Sequence, residues 1–139
     1  MPHAKILVVD DSPTQMKMAT SCLATQGYRL ITAVDGEEAL RKLSVVHPDI
    51  VVSDIYMPIM DGVNLHKMVR NNPTYATLPF LFVSGYSDEY ALRSMRDPRY
   101  DGFLRKGRPP HEIKEWIRYL TTPEEKRDKY LPGLSARLN

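Results

Sequence analysis

The sequence predicts an α/β fold: a doubly wound (βα)5 unit with a five-stranded parallel sheet and helices on both faces. Short apolar runs recur at five places, and the first, over 5–9, is rich in β-branched residues, which is typical of a strand buried on both faces. A segment with apolar residues at helical spacing follows each run. Strands that alternate with helices in this way form parallel sheets. The 139 residues have room for one such domain.

The first two strand–helix units have clear end signals. Ser12 is a suitable N-cap and Pro13 a suitable first residue for a helix that Gly27 would end. Asp35 precedes a glycine, which places a turn before the second helix. The predicted elements are a strand over 5–9, a helix over 13–26, a strand over 28–33 and a short helix from 36.

The other three units repeat this order. Asp97 and Pro98 break the fourth helix. We expect Trp116 at the edge of the last helix, whose inner side carries Ile113, Ile117 and Leu120. The predicted elements are strands over 50–53, 78–83 and 102–104, a helix that carries Val63, Leu65 and Val69, a helix over about 87–95 and a helix from Pro110.

The residues after the fifth unit predict an extension outside the domain core. Thr122 and Glu125 have the spacing of a capping box, and Pro123 would be the first residue of a new helix. We therefore divide the chain into a domain over 1–121 and a helical extension or linker over 122–139.

Composition favours a soluble, cytoplasmic protein. No apolar run approaches the ~20 residues that cross a bilayer, which predicts no membrane segment. The single Cys22 excludes an internal disulfide and fits a reducing compartment. The net charge of +2 comes from basic residues concentrated between Arg93 and Arg108. Because acidic residues are interleaved there, a protein-facing surface is favoured over direct nucleic-acid binding.

Polar side chains follow the carboxyl ends of the predicted strands, where ligands bind in parallel sheets. Asp10 and Asp11 follow the first strand, Asp54 the third, Ser84 ends the fourth, and Lys106 lies just past the fifth. Three carboxylates ~5 Å apart repel by roughly 3 kcal/mol a pair at an effective dielectric of ~20. Mg²⁺, which prefers oxygen ligands, relieves this repulsion, and Lys106 supplies a further balancing charge.

These groups suit phosphoryl transfer to Asp54. Its carboxylate would attack phosphorus in line while Mg²⁺ bridges it to an oxygen of the transferred group. Lys106 and the Ser84 hydroxyl would hold the other oxygens as charge develops. The small Gly85 leaves room for the donor. No residue of this set activates water strongly, so an aspartyl phosphate should persist.

Two tyrosines are expected to control access to this site. Tyr56 stands two positions beyond Asp54, and Tyr86 two positions beyond Ser84. Both rings should overhang the acceptor and crowd the approach of water, because neither supplies a good general base. The alternative is that both rings swing into solvent or pack on partners.

Four segments together carry a resemblance to a known family: ILVVDDS at 6–12, DIYMPIMDG at 54–62, VSG at 83–85 and FLRK at 103–106. Over about residues 5–120 the chain resembles the receiver domain of two-component response regulators, and chemotaxis regulators in particular. The resemblance implies a flavodoxin-like fold and Ser84 and Phe103 as a switch pair. It also implies that Mg²⁺ is held by Asp10, Asp11, Asp54 and the backbone carbonyl of Tyr56.

The sequence departs from the family pattern after the active lysine. Gly107 stands where the family usually has a proline in a cis bond, and Pro109 replaces the usual polar cap before the last helix. The spacing from Lys106 to Pro110 is nevertheless retained, so we expect the lysine to reach the site.

The resemblance also implies partners. A sensor histidine kinase or a phosphotransfer protein would supply the phosphoryl group. The face formed by the fourth helix, fifth strand and last helix would then contact a downstream protein, an output domain absent from this sequence, or a second copy in a homodimer. The sequence leaves open whether the chain stands alone or belongs to a longer protein.

Two other functions share parts of this pattern. A flavodoxin-like electron carrier has the same architecture, but Asp10 and Asp11 would repel the phosphate that its first loop must bind. An aspartyl-phosphate hydrolase would also use Mg²⁺ and a nucleophilic aspartate. Such enzymes have a second aspartate two residues after the nucleophile, where this sequence has Tyr56.

Overall fold

The computed structural model describes residues 4–85, 89–95 and 97–127. Within these ranges no helix is both long and apolar enough to cross a bilayer. Its strands are β1 (Lys5–Val9), β2 (Arg29–Ala33), β3 (Ile50–Ser53), β4 (Phe80–Ser84) and β5 (Asp101–Arg105). Its helices are α1 (Pro13–Ala24), α2 (Gly36–Val46), α3 (Gly62–Asn71), α4 (Glu89–Ser94) and α5 (Pro110–Thr121), with one 3-10 turn at Glu124–Lys126.

The five strands form one parallel sheet in the order β2-β1-β3-β4-β5. Leu7 of β1 pairs with Ile31 of β2 on one side and with Val51 of β3 on the other. The strand order therefore reverses between β1 and β3, and such a switch point is where open α/β sheets bind ligands. The predicted flavodoxin-like, doubly wound fold with helices on both faces is confirmed.

Each face of the sheet carries its own hydrophobic core, because successive strand residues point to opposite sides. Leu7 and Val9 belong to the core on the α2, α3 and α4 side. Ile6 and Val8 belong to the core on the α1 and α5 side. All four are buried, which explains why the sequence of β1 is apolar without alternation.

The boundaries of β4 and β5 differ from the predicted ones for local reasons. β4 begins at Phe80 because the amide of Leu78 donates to the carbonyl of Tyr75 in a turn, and Pro79 has no amide hydrogen for the sheet. β5 extends to Arg105, which pairs with the last residue of β4.

The predicted edge position of Trp116 is wrong. Trp116 is only 7% exposed and belongs to the core on the α1 and α5 side. A side-chain carbon built on Gly102 would lie 2.6 Å from its ring. Because Gly102 of β5 has no side chain, it leaves the space that the indole ring of Trp116 fills.

The predicted capping box at the start of the extension does not form. The Thr122 hydroxyl donates to the carbonyl of Arg118 instead of accepting from the next turn. Pro123 precedes a turn of only three residues, without a side-chain cap. Residues 128–139 of the predicted extension lie outside the described residues, and the division of the chain at residue 121 stays a prediction.

Candidate functional site

The carboxyl ends of the strands fix the backbone of the polar residues predicted from the sequence. The amide of Asp54 donates to the carbonyl of Val9 (2.9 Å), and the amide of Lys106 donates to the carbonyl of Ser84 (2.7 Å). The amide of Asp10 bonds in the same way to β2 (3.0 Å). The sheet ladder thus continues one residue beyond these strands and brings the polar residues to one edge.

The loop after Asp54 is held against the start of α3. The amide of Gly62 donates to the carbonyl of Ile55 (2.7 Å), and Asp61 caps α3 by accepting from the amide of Asn64 (2.8 Å). A side-chain carbon on Gly62 would lie 2.1 Å from the carbonyl oxygen of Asp54. Only glycine permits this approach, so the start of α3 helps to fix the backbone of Asp54.

Three carboxylates meet at this edge. Asp10, Asp11 and Asp54 each offer an oxygen within 4.8 Å of the others. One oxygen of Asp10 accepts from the amide of Ser12 (2.9 Å), and one oxygen of Asp54 accepts from the amide of Ile55 (2.8 Å). These bonds orient the two carboxylates. The donor set consists of hard oxygens with three negative charges, which fits Mg²⁺.

Lys106 is the cation of this site. Its Nζ lies 3.2 Å from Asp54 Oδ2 and 3.3 Å from Asp10 Oδ2, and it also donates to Gln15 Oε1. One lysine balances one of three carboxylate charges. The remaining negative charge is what a divalent cation would neutralise.

The pKa of Asp54 is raised above its ordinary value, chiefly by burial. The amide of Ile55 and the charge of Lys106 act in the opposite direction, while the neighbouring charge of Asp10 adds to the rise. The site thus disfavours the Asp54 carboxylate unless further positive charge is supplied.

The loop that carries Lys106 reverses direction at Gly107. Gly107 has φ of +87°, a left-handed conformation that glycine adopts without strain, and the Lys106–Gly107 bond is trans. Pro109 provides no side-chain cap for α5. Instead, Arg108 donates to the buried carboxylate of Glu112 (2.6 Å), which ties the loop to α5. Despite both departures from the family pattern, Lys106 reaches the carboxylates.

The sequence matches the response regulator receiver domain family over residues 6–118. The chain belongs to this family. Protein PilG of Pseudomonas aeruginosa is 38% identical over 102 residues, which cover 73% of this chain and 76% of that protein. The chain spans half or less of the length of several other curated relatives that it matches.

Solved receiver domains share the fold. The signal receiver domain of a signal transduction histidine kinase from Syntrophus aciditrophicus has a TM-score of 0.78 and 28% identity, covering 91% of this chain and 96% of that one. The receiver domain of a sensor histidine kinase from Pseudomonas aeruginosa PAO1 also has a TM-score of 0.78, at 20% identity, covering 86% of this chain and 98% of that one. It is described with a magnesium ion coordinated in its active site cleft.

Receiver domains are signalling switches of two-component systems that receive phosphoryl groups from histidine kinases. The acidic cluster of this receiver domain fits the Mg²⁺ site of the family. Membership of the family removes the grounds for both alternatives, the electron carrier and the aspartyl-phosphate hydrolase.

The residues of the predicted switch pair lie near each other. Phe82 pairs with Phe103, and Ser84 pairs with Arg105, so Ser84 and Phe103 point to the same face of the sheet. Ser84 is buried, and Phe103 is partly buried against the core on the α4 side. Their role as a switch stays a prediction.

The predicted access residues are only partly described. Tyr56 is 53% exposed, and Tyr86 lies outside the described residues. A side-chain carbon built on Gly85 would contact nothing within 4 Å, so the space beside Ser84 is open. The proposed roles of these residues stay predictions.

Two contacts at the edge of the site were not predicted from the sequence. Gln15, in the first turn of α1, contacts Lys106 in the loop after β5. The Tyr90 hydroxyl of α4 donates to Asp61, in the loop that follows Asp54 (2.9 Å). One sequence signal could have predicted the contact of Gln15. The residue lies near the start of the helix that follows the acidic pair, and side chains at that place point toward the edge of the sheet.

Proposed function

We propose that this receiver domain is a Mg²⁺-dependent phosphoacceptor switch in which Asp54 takes the phosphoryl group. The donor is the histidine of a sensor histidine kinase or of a phosphotransfer protein. The observation that carries this proposal is the convergence of Asp10, Asp11 and Asp54 within 4.8 Å, with Lys106 Nζ 3.2 Å from Asp54. Such a site binds a phosphoryl group and a divalent cation together.

In the transfer step, an oxygen of Asp54 forms a bond to phosphorus as the bond between phosphorus and the donor nitrogen breaks. Lys106 donates hydrogen bonds to the transferred oxygens, and the Ser84 hydroxyl donates to another of them. Asp10, Asp11, Asp54 and the backbone carbonyl of Tyr56 would hold Mg²⁺. When bound, Mg²⁺ supplies the positive charge that these carboxylates lack and orients the phosphoryl group. The domain thus acts only on itself, by its own phosphorylation and slow dephosphorylation.

The output of the switch is proposed to be a changed α4–β5–α5 face. Ser84 moves toward the phosphoryl group and Phe103 turns inward, which shifts α4 relative to β5. The face then binds a downstream protein, an output domain or a second copy of the chain in a homodimer. Neither nucleic acid nor a membrane is a direct partner in this proposal, and the cytoplasmic location predicted above stays a prediction.

Incubation with acetyl phosphate and Mg²⁺ tests the acceptor. The intact mass should increase by one phosphoryl group, and Asp54→Asn should abolish the increase. Asp49→Asn is a matched control, since Asp49 immediately precedes β3 and Asp54 immediately follows it. Undiminished labelling of the Asp54→Asn variant would disprove the assignment.

A further inference from the structure

Gln15 supplies a third acceptor to the ammonium group of Lys106. Its Oε1 accepts a hydrogen bond from Lys106 Nζ, whose other two neighbours are Asp54 Oδ2 (3.2 Å) and Asp10 Oδ2 (3.3 Å). An ammonium group has three N–H donors. These three acceptors therefore match the N–H groups of Nζ in number.

The start of α1 determines where Gln15 points. The amide of Ser12 donates to Asp10 Oδ1 (2.9 Å), and the Ser12 hydroxyl accepts from the amide of Gln15 (3.3 Å). Helical side chains lean toward the N-terminus of their helix, which directs Gln15 to the rim. The residues Asp10, Ser12, Gln15 and Lys106 thus form a closed ring of hydrogen bonds.

The stem of Lys106 borders open space on one side. A cleft of about 280 Å³ between α1 and α5 borders both Lys106 and Gln15, and apolar side chains such as Val8 and Leu104 line its interior. Lysine is flexible because it ends a four-carbon chain. With open space beside the stem, the polar contacts of Nζ help to set its position.

We propose that Gln15 is a positioning residue for phosphoryl transfer: it holds Lys106 Nζ where the ammonium meets an incoming phosphoryl oxygen. This inference rests on the proposed function of Asp54. Without Gln15, Nζ loses one of its three restraints and spends less time in the productive position. Because Gln15 is neutral, its removal leaves the charge of the metal site unchanged. Transfer should slow while Mg²⁺ binding stays the same.

Three variants test this role. Gln15→Met keeps the length of the side chain and removes the acceptor, and Gln15→Glu keeps an acceptor oxygen. Gln26→Met changes the other glutamine of the chain, which follows α1 and is exposed. At saturating Mg²⁺, Gln15→Met should lower the rate of labelling by acetyl phosphate about five- to tenfold, as expected for one charge-assisted hydrogen bond. Gln26→Met should match the wild type.

A second measurement needs neither metal nor phosphoryl donor. The side-chain ammonium signal of Lys106, assigned in NMR spectra with Lys106→Arg, should be protected from solvent exchange in the wild type. Gln15→Met should abolish this protection, and Gln15→Glu should restore it. Protection that survives in Gln15→Met would overturn the inference.

The outcomes separate the inference from the proposed function. If the wild type is labelled and Gln15→Met is labelled at the same rate, the positioning role is rejected while Asp54 remains the acceptor. If Gln15→Met weakens Mg²⁺ binding by calorimetry as much as it slows labelling, the residue supports the whole site and the specific role is also rejected. If the wild type is not labelled, the proposed function itself fails.

Discussion

His66 Nε2 lies 2.9 Å from Asp101 Oδ1, and both side chains are buried. Arg70 contacts the same carboxylate oxygen and also donates to the carbonyl of Leu78 (2.6 Å). His66 and Arg70 are four residues apart on α3 and therefore share one face of the helix. Asp101 is the first residue of β5. The network thus fastens α3 to the edge strand of the sheet, next to the proposed output face.

We expect Asp101→Asn to lower the free energy of unfolding by about 3 kcal/mol at pH 7, because it leaves the largely buried Arg70 without its counter-charge. Burial raises the pKa of Asp101, but the contacts with His66 and Arg70 outweigh burial and hold the pKa below its ordinary value. A carboxylate with a lowered folded pKa stabilises the protein above its unfolded pKa, and this stabilisation is lost as the pH falls through the folded pKa.

Urea unfolding at several pH values measures this effect. The difference between the wild type and Asp101→Asn should be constant above about pH 4, the unfolded value for aspartate, and should shrink below it. Asp97→Asn, which removes a more exposed pair with Arg99, is the control and should change stability far less. A difference that persists unchanged into acid would contradict the assigned role of the Asp101 charge.

Tyr90→Phe should loosen α4 without disturbing the rest of the fold. The Tyr90 hydroxyl donates to Asp61 Oδ2 (2.9 Å), and Asp61 belongs to the loop that follows Asp54. One hydrogen bond of ~1 kcal/mol corresponds to a roughly fivefold increase in local opening. Amide exchange in residues 89–95 should accelerate by about that factor, and exchange in α5 should not change. Tyr119→Phe is the matched control, and equal exchange in α4 of both variants would refute the link.

The sequence patterns predicted the fold and the acidic cluster because both depend on local signals. β1 and β3 are continuous apolar runs, and an aspartate follows each of them where a parallel sheet places ligands. The contacts of Gln15, Tyr90 and Trp116 were missed for a different reason. Each contact joins residues far apart in sequence. Whether such residues meet depends on side-chain rotamers and on free volume, such as the space that Gly102 leaves for the ring of Trp116. Periodicity carries no information about either.

Asp11→Ala should weaken Mg²⁺ binding more than Asp10→Ala. Asp10 is buried, and the amide of Ser12 and Lys106 already engage its carboxylate. Asp11 is exposed and more accessible to a metal ion. Asp10 would hold the metal through water, and loss of such a supporting group costs about tenfold in metal affinity, whereas loss of the direct ligand Asp11 should cost more. Calorimetric titration with Mg²⁺ distinguishes the two, and equal losses would contradict the division of roles.

Tyr56→Asn should accelerate dephosphorylation of Asp54. Hydrolysis needs a water aligned behind phosphorus, and the aromatic ring two residues beyond the acceptor crowds its approach, whereas an amide would orient it. About 1.4 kcal/mol on the barrier is enough for each tenfold change in rate.

Tyr56→Phe keeps the ring, and its phosphorylated form should lose phosphate as slowly as the wild type. The half-life of the phosphorylated protein after removal of the donor measures this. The alternative is that the ring of Tyr56, a residue that is 53% exposed, lies in solvent. In that case all three proteins would lose phosphate at the same rate, and Tyr56 would not guard the acceptor.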